Sequence, residues 1–409
     1  MTSQPGDGYR PAPAARTVET MTTHLDRPAA EVGDLPRRPH ALARIGLLRD
    51  LDRPGDAVSS LGPNWFASVM GTGIVGGAVA TLPLRSPVLT AWGTAVWGLA
   101  SVLLVVLVVA TAAHRLRFPA RARGHAADPV AVQFYGAVAM ALMTVGAGAV
   151  QFGIPVLGAT AALATSWTLW LAGTAFGLVT AVGVPYLMIT RHEIGPDAAF
   201  GGWLMPVVPP MVSAADGALL VAHLAPGPGR TTLLLACYAL FGMSLFATLA
   251  LLPQIWNRLV VHGTGPAATV PTLWIVLGPL GQSVTAAGLL ANVAPGTLPE
   301  PFASGTAVFA VLYGVPAWGF AMLWMALAAA VTVRTARRGL PFALTWWSFT
   351  FPLGTCVTGT NLLAARLGTP ALAVVAVALY GLLVAAWAVV AAWTAHGALV
   401  RGHLLVPAR

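Results

Sequence analysis

The feature that most constrains this chain is a recurring apolar run about as long as a bilayer is thick. Such runs fall at 64–82, 88–113, 130–151, 163–190, 203–224, 232–252, 270–292, 304–333, 342–364 and 370–398. A helix needs roughly 20 apolar residues to cross a hydrocarbon core of ~30 Å. Most gaps between the runs hold Pro and Gly clusters, such as Gly153 to Pro155 and Pro226 to Gly229. The pattern predicts an all-α integral membrane protein of ten transmembrane helices. An outer-membrane barrel would instead show alternating segments of about ten residues. Composition agrees: 57% of the 409 residues are hydrophobic and only 9% are charged, too few charges to keep a soluble surface of this size wet.

Charge placement sets the expected orientation. All 22 basic residues are Arg. With the N-terminus inside, 19 of them fall on inside segments and only Arg85, Arg230 and Arg366 lie outside. That asymmetry predicts both termini in the cytoplasm, with odd-numbered spans running inside to outside. Residues 1–60 read as a disordered basic cytoplasmic tail, 61–400 as the transmembrane domain and 401–409 as a short cytoplasmic tail. The net charge of +9 does not indicate nucleic acid, because the Arg residues sit in short loops between apolar runs rather than on one soluble face.

The odd spans repeat. Each opens with an aromatic residue: Trp65, Phe134, Trp203, Trp274 and Trp347, separated by 69, 69, 71 and 73 residues. Regular spacing of this kind marks a repeated unit, here five helical hairpins. Helix breakers follow the aromatic at similar depth: Gly71 and Gly73, Pro209 and Pro210, Pro279, and Pro352. Breaks are tolerated in a membrane only where neighbours or water satisfy the freed backbone groups. An inner ring of five kinked helices around a central pore, with five smoother helices outside it, is therefore expected.

Few side chains offer chemistry. Asp216, in the fifth span, is the clearest ionisable candidate within a run and is a candidate for proton coupling. Ser68, Thr72, Ser213, Ser283 and Thr355 are the candidate pore-lining hydroxyls, able with broken-helix amides to solvate an anion. A ring of Asp or Glu, expected of a cation pore, is absent from the sequence. Cys237 and Cys356 form no metal-binding or disulfide pattern, the histidines show no HExxH spacing, and there is no nucleotide-binding loop. The sequence thus implies no catalytic residue, no metal and no cofactor.

Three segments resemble a known family. They are Trp65-Phe-Ala-Ser-Val-Met-Gly-Thr-Gly-Ile, Leu204-Met-Pro-Val-Val-Pro-Pro-Met-Val and Trp346-Trp-Ser-Phe-Thr-Phe-Pro-Leu-Gly-Thr. They are similar to the first, fifth and ninth spans of the tellurite-resistance/dicarboxylate transporter family, also called the TehA/slow anion channel-like family. The first and third look closest to its malate and sulfite permease branch. The resemblance covers about residues 60–400 and implies a ten-helix fold of five hairpins around a pore, usually as a homotrimer. It also implies a pore plug on the ninth span immediately before the proline, which is Phe351 here. Phe349, two residues earlier, points roughly 200° away on an ideal helix and is the weaker candidate. The implied activity is transport of a small anion across the plasma membrane, with a C4-dicarboxylate such as malate or an oxyanion such as sulfite leading. Tellurite-linked resistance or a chloride/nitrate channel is the alternative, and a membrane enzyme or sensor subunit is the rival from another class.

Overall fold

A computed structural model describes residues 57–405. Most of the expected N-terminal tail, and residues 406–409 of the expected C-terminal tail, lie outside the described residues.

All regular secondary structure among the described residues is helical, with no strand. The helices are α1 (Phe66–Thr81), α2 (Pro87–Arg117), α3 (Pro119–Ala127), α4 (Tyr135–Gly148), α5 (Ile154–Leu157), α6 (Ala159–Thr190), α7 (Pro209–Val221), α8 (Pro228–His262), α9 (Leu277–Val293), α10 (Phe302–Ala336), α11 (Phe351–Leu367) and α12 (Pro370–Ala395). Many begin on proline, where the missing N–H has no intrahelical partner to lose. Thus α2, α8 and α12 start at Pro87, Pro228 and Pro370. Ser86 caps α2, its hydroxyl accepting from the Leu89 N–H at 3.2 Å. After α11 the chain turns at Gly368 with φ of 61°, a left-handed conformation that favours glycine.

Seven helical stretches are long and apolar enough to cross a membrane: α2, Ala131–Leu157, α6, α8, Ala267–Val293, α10 and Pro370–Arg401. The other three apolar runs hold shorter α-helices. These are α1, α7 and α11, of 16, 13 and 17 residues. The shortening has a common cause. Each of the five odd runs opens with a 3-10 turn rather than an α-helix: Pro63–Trp65, Ala131–Phe134, Gly201–Leu204, Ala267–Val276 and Leu344–Phe349. All five repeat aromatics lie in these turns.

Burial separates two sets of helices. In the most apolar stretch of Ala267–Val293, 94% of residues are buried, against 17% for α10 and 22% for α6. The residues of α1, α7 and α11 are also almost all buried. Packing links α1 to α4, α4 to α7, α7 to α9, α9 to α11, and α11 back to α1. The five 3-10 turns make the same closed cycle of contacts. Small residues permit this approach. A Cβ on Gly136 would overlap the Met205 carbonyl, and one on Gly201 the Thr272 carbonyl.

Helices α2, α6, α8, α10 and α12 pack outside this set and leave large apolar side chains such as Val102, Phe246 and Leu312 exposed, as suits contact with lipid. Several of them send an indole inward. Trp97 Nε1 donates to the Val145 carbonyl at 3.0 Å, Trp170 to Ser213 at 2.9 Å, and Trp324 to Leu273 at 2.9 Å. Lipid tails are as apolar as Leu, so such hydrogen bonds and close packing hold membrane helices together.

Candidate functional site

Where the five 3-10 turns hand over to α-helix, the buried helices enclose a small cavity. Every one of the five odd runs contributes to its wall: Ala67 and Met70, Phe134 and Met140, Met205 and Val208, Ile275 with Gly278 and Pro279, and Leu344, Ser348, Phe351 and Pro352. The free space is about 20 Å³, enough for about one water molecule. The wall is apolar except for Ser348. No acidic or basic side chain lines it.

The breaks that shape this wall are helix starts. Pro209 and Pro210 occupy the first turn of α7, and Pro352 that of α11. Pro279 is the third residue of α9. The N-terminal ends of all five buried α-helices therefore converge on the cavity. Each carries partial positive charge from its aligned peptide dipoles. Gly71 and Gly73 lie within uninterrupted α1 and serve close packing. A Cβ on Gly71 would overlap Thr350, and one on Gly73 would come 2.6 Å from Thr144 Cγ2.

The two phenylalanines of the ninth run have different surroundings. Phe351 is 3% exposed and lines the cavity. It sits at the junction of 3-10 turn and α11, where Thr350 donates its hydroxyl to the Trp347 carbonyl at 2.7 Å and the Gly354 N–H reaches back to the Thr350 carbonyl at 2.9 Å. Phe349 is outside the wall, edge-on to Trp274 and Trp346 at 5.5 and 5.8 Å between ring centroids.

The hydroxyls singled out in the sequence do not line this cavity; each is held in a local or helix–helix contact. Ser68 donates to the Trp65 carbonyl at 2.7 Å. Thr72 accepts from Trp387 Nε1 of α12 at 3.1 Å. Ser213 donates to the Pro209 carbonyl at 3.1 Å and accepts from Thr174 of α6 at 3.0 Å. Ser283 donates to the Leu280 carbonyl and accepts from Tyr313 of α10 at 2.7 Å. Thr355 lies 2.7 Å from the Pro352 carbonyl and 3.3 Å from those of Leu277 and Gly278. Asp216 also lies off the cavity, on α7, with Oδ2 buried and without a hydrogen-bond partner. Among the described residues no cluster of three His, Cys, Asp or Glu could hold a metal.

The wall residues that sequence reading passed over are mostly apolar: Met70, Met140, Met205 and Val208. For Met70, Met205 and Val208 the signal was the repeat itself. Ala67 and Met70 lie two and five residues past Trp65, and Met205 and Val208 the same distances past Trp203.

Comparison with known proteins bears on this arrangement. A family model described as voltage-dependent anion channel matches residues 60–395. An uncharacterized transporter of Methanocaldococcus jannaschii is 30% identical over 357 residues, 85% of this chain and 97% of its own length. Sulfite efflux pumps of Trichophyton rubrum and Arthroderma benhamiae are each 27% identical over 320 residues, 77% of this chain and 84% of theirs.

Proposed function

The chain belongs to the voltage-dependent anion channel family, and from that premise we propose that it conducts a small oxyanion along the axis of its five inner helices, with Phe351 as the closed gate. The family and the relatives are channels and transporters rather than enzymes; the family model is described as an anion channel, and several relatives are sulfite efflux pumps. Sulfite is the first substrate to test, because sulfite efflux pumps are among the relatives. A C4-dicarboxylate such as malate is the second. The ten apolar runs form five hairpins, with α1, α4, α7, α9 and α11 as the ring around the pore. The protein resides in the plasma membrane and assembles as a homotrimer, as the family resemblance implies, with both termini in the cytoplasm, as the placement of Arg predicts.

One observation carries this reading: five helix N-termini converge on an apolar cavity that Phe351 helps to fill. An apolar constriction excludes water, and an ion cannot shed its hydration there. The converging dipoles disfavour cations and favour anions once the constriction is wet. No charged side chain is needed, which also spares the anion a tight binding site that would slow its release. Asp216 is the candidate for proton coupling, because its Oδ2 is buried without a hydrogen-bond partner.

The test is anion flux into proteoliposomes holding purified wild type or Phe351→Ala, with sulfite, malate, nitrate and chloride, with and without a pH gradient. Flux of at least one anion that rises in Phe351→Ala is the expected result. Absence of anion flux in both folded proteins would sink the proposal. Dependence on the pH gradient that disappears in Asp216→Asn would assign the coupling role.

A further inference from the structure

A cavity of about 310 Å³ is walled by α2, α3, α4, α6 and the chain entering α1. We propose that it is a binding site for an anionic phospholipid, with Arg115 and His125 holding the headgroup and Val108, Val138 and Phe176 lying along an acyl chain. The site goes beyond the anion-transport reading and does not depend on it.

The wall changes character along α2. Val108, Thr111, Ala112 and Arg115 line the cavity, and their spacing of i, i+3, i+4 and i+7 puts them on one helix face. At ~1.5 Å of rise per residue, Arg115 stands about 10 Å beyond Val108, toward the end of the helix. Across the cavity α4 adds Tyr135 and Val138, and α6 adds Phe176. The Tyr135 and Phe176 rings meet edge-on with centroids 6.4 Å apart. Both α2 and α6 belong to the outer set of helices, and Val108 is 47% exposed. The apolar wall therefore continues onto surface that faces lipid, while the basic end lies where α2 gives way to α3.

Charge decides the class of lipid. Arg115 and His125 line the cavity, and no acidic side chain does. Asp128, just past α3, has its Oδ1 taken by the N–H groups of Val130 and Ala131 at 2.8 and 3.0 Å. Arg117, Arg121 and Arg123 stand exposed around the same end. Arg121 donates to the Ser59 carbonyl at 3.1 Å and Arg123 to the Pro119 carbonyl at 3.2 Å, which fixes α3 beside the cavity mouth. His114 is buried, with Nδ1 2.8 Å from the Val58 carbonyl. It backs His125, whose ring stacks on it with centroids 5.4 Å apart. A guanidinium binds a phosphate through paired N–H groups, and basic pockets between membrane helices favour anionic headgroups. A zwitterionic headgroup would bring its own cation against four arginines.

The test uses the full chain purified in detergent. Phosphatidylglycerol and phosphatidylcholine with the same acyl chains are titrated into wild type, Arg115→Gln, Ala112→Trp and Arg338→Gln, and bound lipid is counted by native mass spectrometry. Wild type should bind phosphatidylglycerol at least about tenfold more tightly than phosphatidylcholine. Arg115→Gln removes a charged contact, and Ala112→Trp fills the apolar wall at unchanged charge. Each should weaken phosphatidylglycerol binding about tenfold. Arg338→Gln, past α10 and off the cavity, should leave it within about twofold. Arg115 and Ala112 are exposed, so both variants should fold, as melting temperatures without lipid will check. Equal affinity for the two lipids overturns the site. So does an equal loss in Arg338→Gln, the mark of diffuse surface attraction. Unchanged binding in Ala112→Trp, or displacement of the lipid by inorganic phosphate, overturns it as well, because the headgroup charge alone would then explain the binding.

Discussion

Replacing Gly281 by alanine tests how closely α9 and α11 must pack beside Phe351. An alanine Cβ there would lie 2.6 Å from the Cys356 nitrogen and 2.6 Å from the Thr355 carbonyl carbon. Ordinary contacts start at 3.4 Å, so α11 would have to retreat by about 0.8 Å. The obstructing atoms include backbone, which cannot rotate aside. Overpacking of this kind costs roughly 1–3 kcal/mol. The retreat also strains the link in which Thr285 lies 3.0 Å from the Gly281 carbonyl and 2.6 Å from the Thr358 hydroxyl, worth about 1 kcal/mol. A total of roughly 2–4 kcal/mol is expected. Thermal unfolding of the purified protein, followed by tryptophan fluorescence, reads it as a fall of several degrees. Gly98→Ala is the control, because nothing lies within 4 Å of its Cβ and alanine is the better helix former by up to about 1 kcal/mol. Equal melting temperatures for Gly281→Ala and wild type would refute the reasoning. So would an equal loss in Gly98→Ala.

Two further outcomes follow from named contacts. Thr72→Val removes the acceptor for Trp387 and should cost about 1 kcal/mol of stability; anion flux in the Phe351→Ala background should be unchanged, and a change in selectivity would show that Thr72 faces the conducted ion instead. His125, on α3 and outside the spans, is held below the ordinary histidine range by burial, then by the neighbouring His114 and by Arg115, with Asp128 acting in the opposite sense. The unfolded chain then binds the proton more readily than the folded one, so stability contributed by neutral His125 is present above the unfolded value and is lost as pH falls through it toward the folded value. The melting temperature should drop on acidification through that window, and less so in His125→Gln; identical pH profiles would contradict the burial argument.

The repeat was legible because it is written in two residue types that physics restricts. Large aromatics at regular spacing stand out against Ala, Val and Leu, and they mark the 3-10 turns. Prolines at 209, 210 and 352 announce helix starts, because the ring tolerates only a first-turn position without loss. The cavity wall was less legible. Met70, Met140 and Met205 carry no chemistry of their own, and in an apolar sequence an inward methionine reads the same as a lipid-facing one. Only the offset from the repeat aromatics distinguishes Met70 and Met205, and Met140 shares no such offset. The link from Arg366 to Asn292 spans two runs 74 residues apart in sequence, beyond the reach of any local pattern.

The hydroxyls show why polarity within a span is a poor guide to a pore. In a membrane a hydroxyl has no water to return to, so it bonds the nearest carbonyl, usually three or four residues back. Ser68, Ser283, Thr355 and Thr360 all do so, at 2.6 to 2.8 Å. Others join neighbouring helices, as Thr72 does with Trp387 and Ser213 with Thr174. Where the hydroxyl donates, as in the bonds to these carbonyls, it has spent the only proton it has to give and has nothing left to offer a passing anion. On the proposed reading, an axis built this way would attract an anion through its backbone. The five helix starts would supply the favourable potential, and Phe351 would decide whether water, and with it the ion, can enter. Selectivity by sign would then come from helix direction and gating from one ring. Substitutions at Phe351 should therefore change conductance far more than they change the preference for anions over cations.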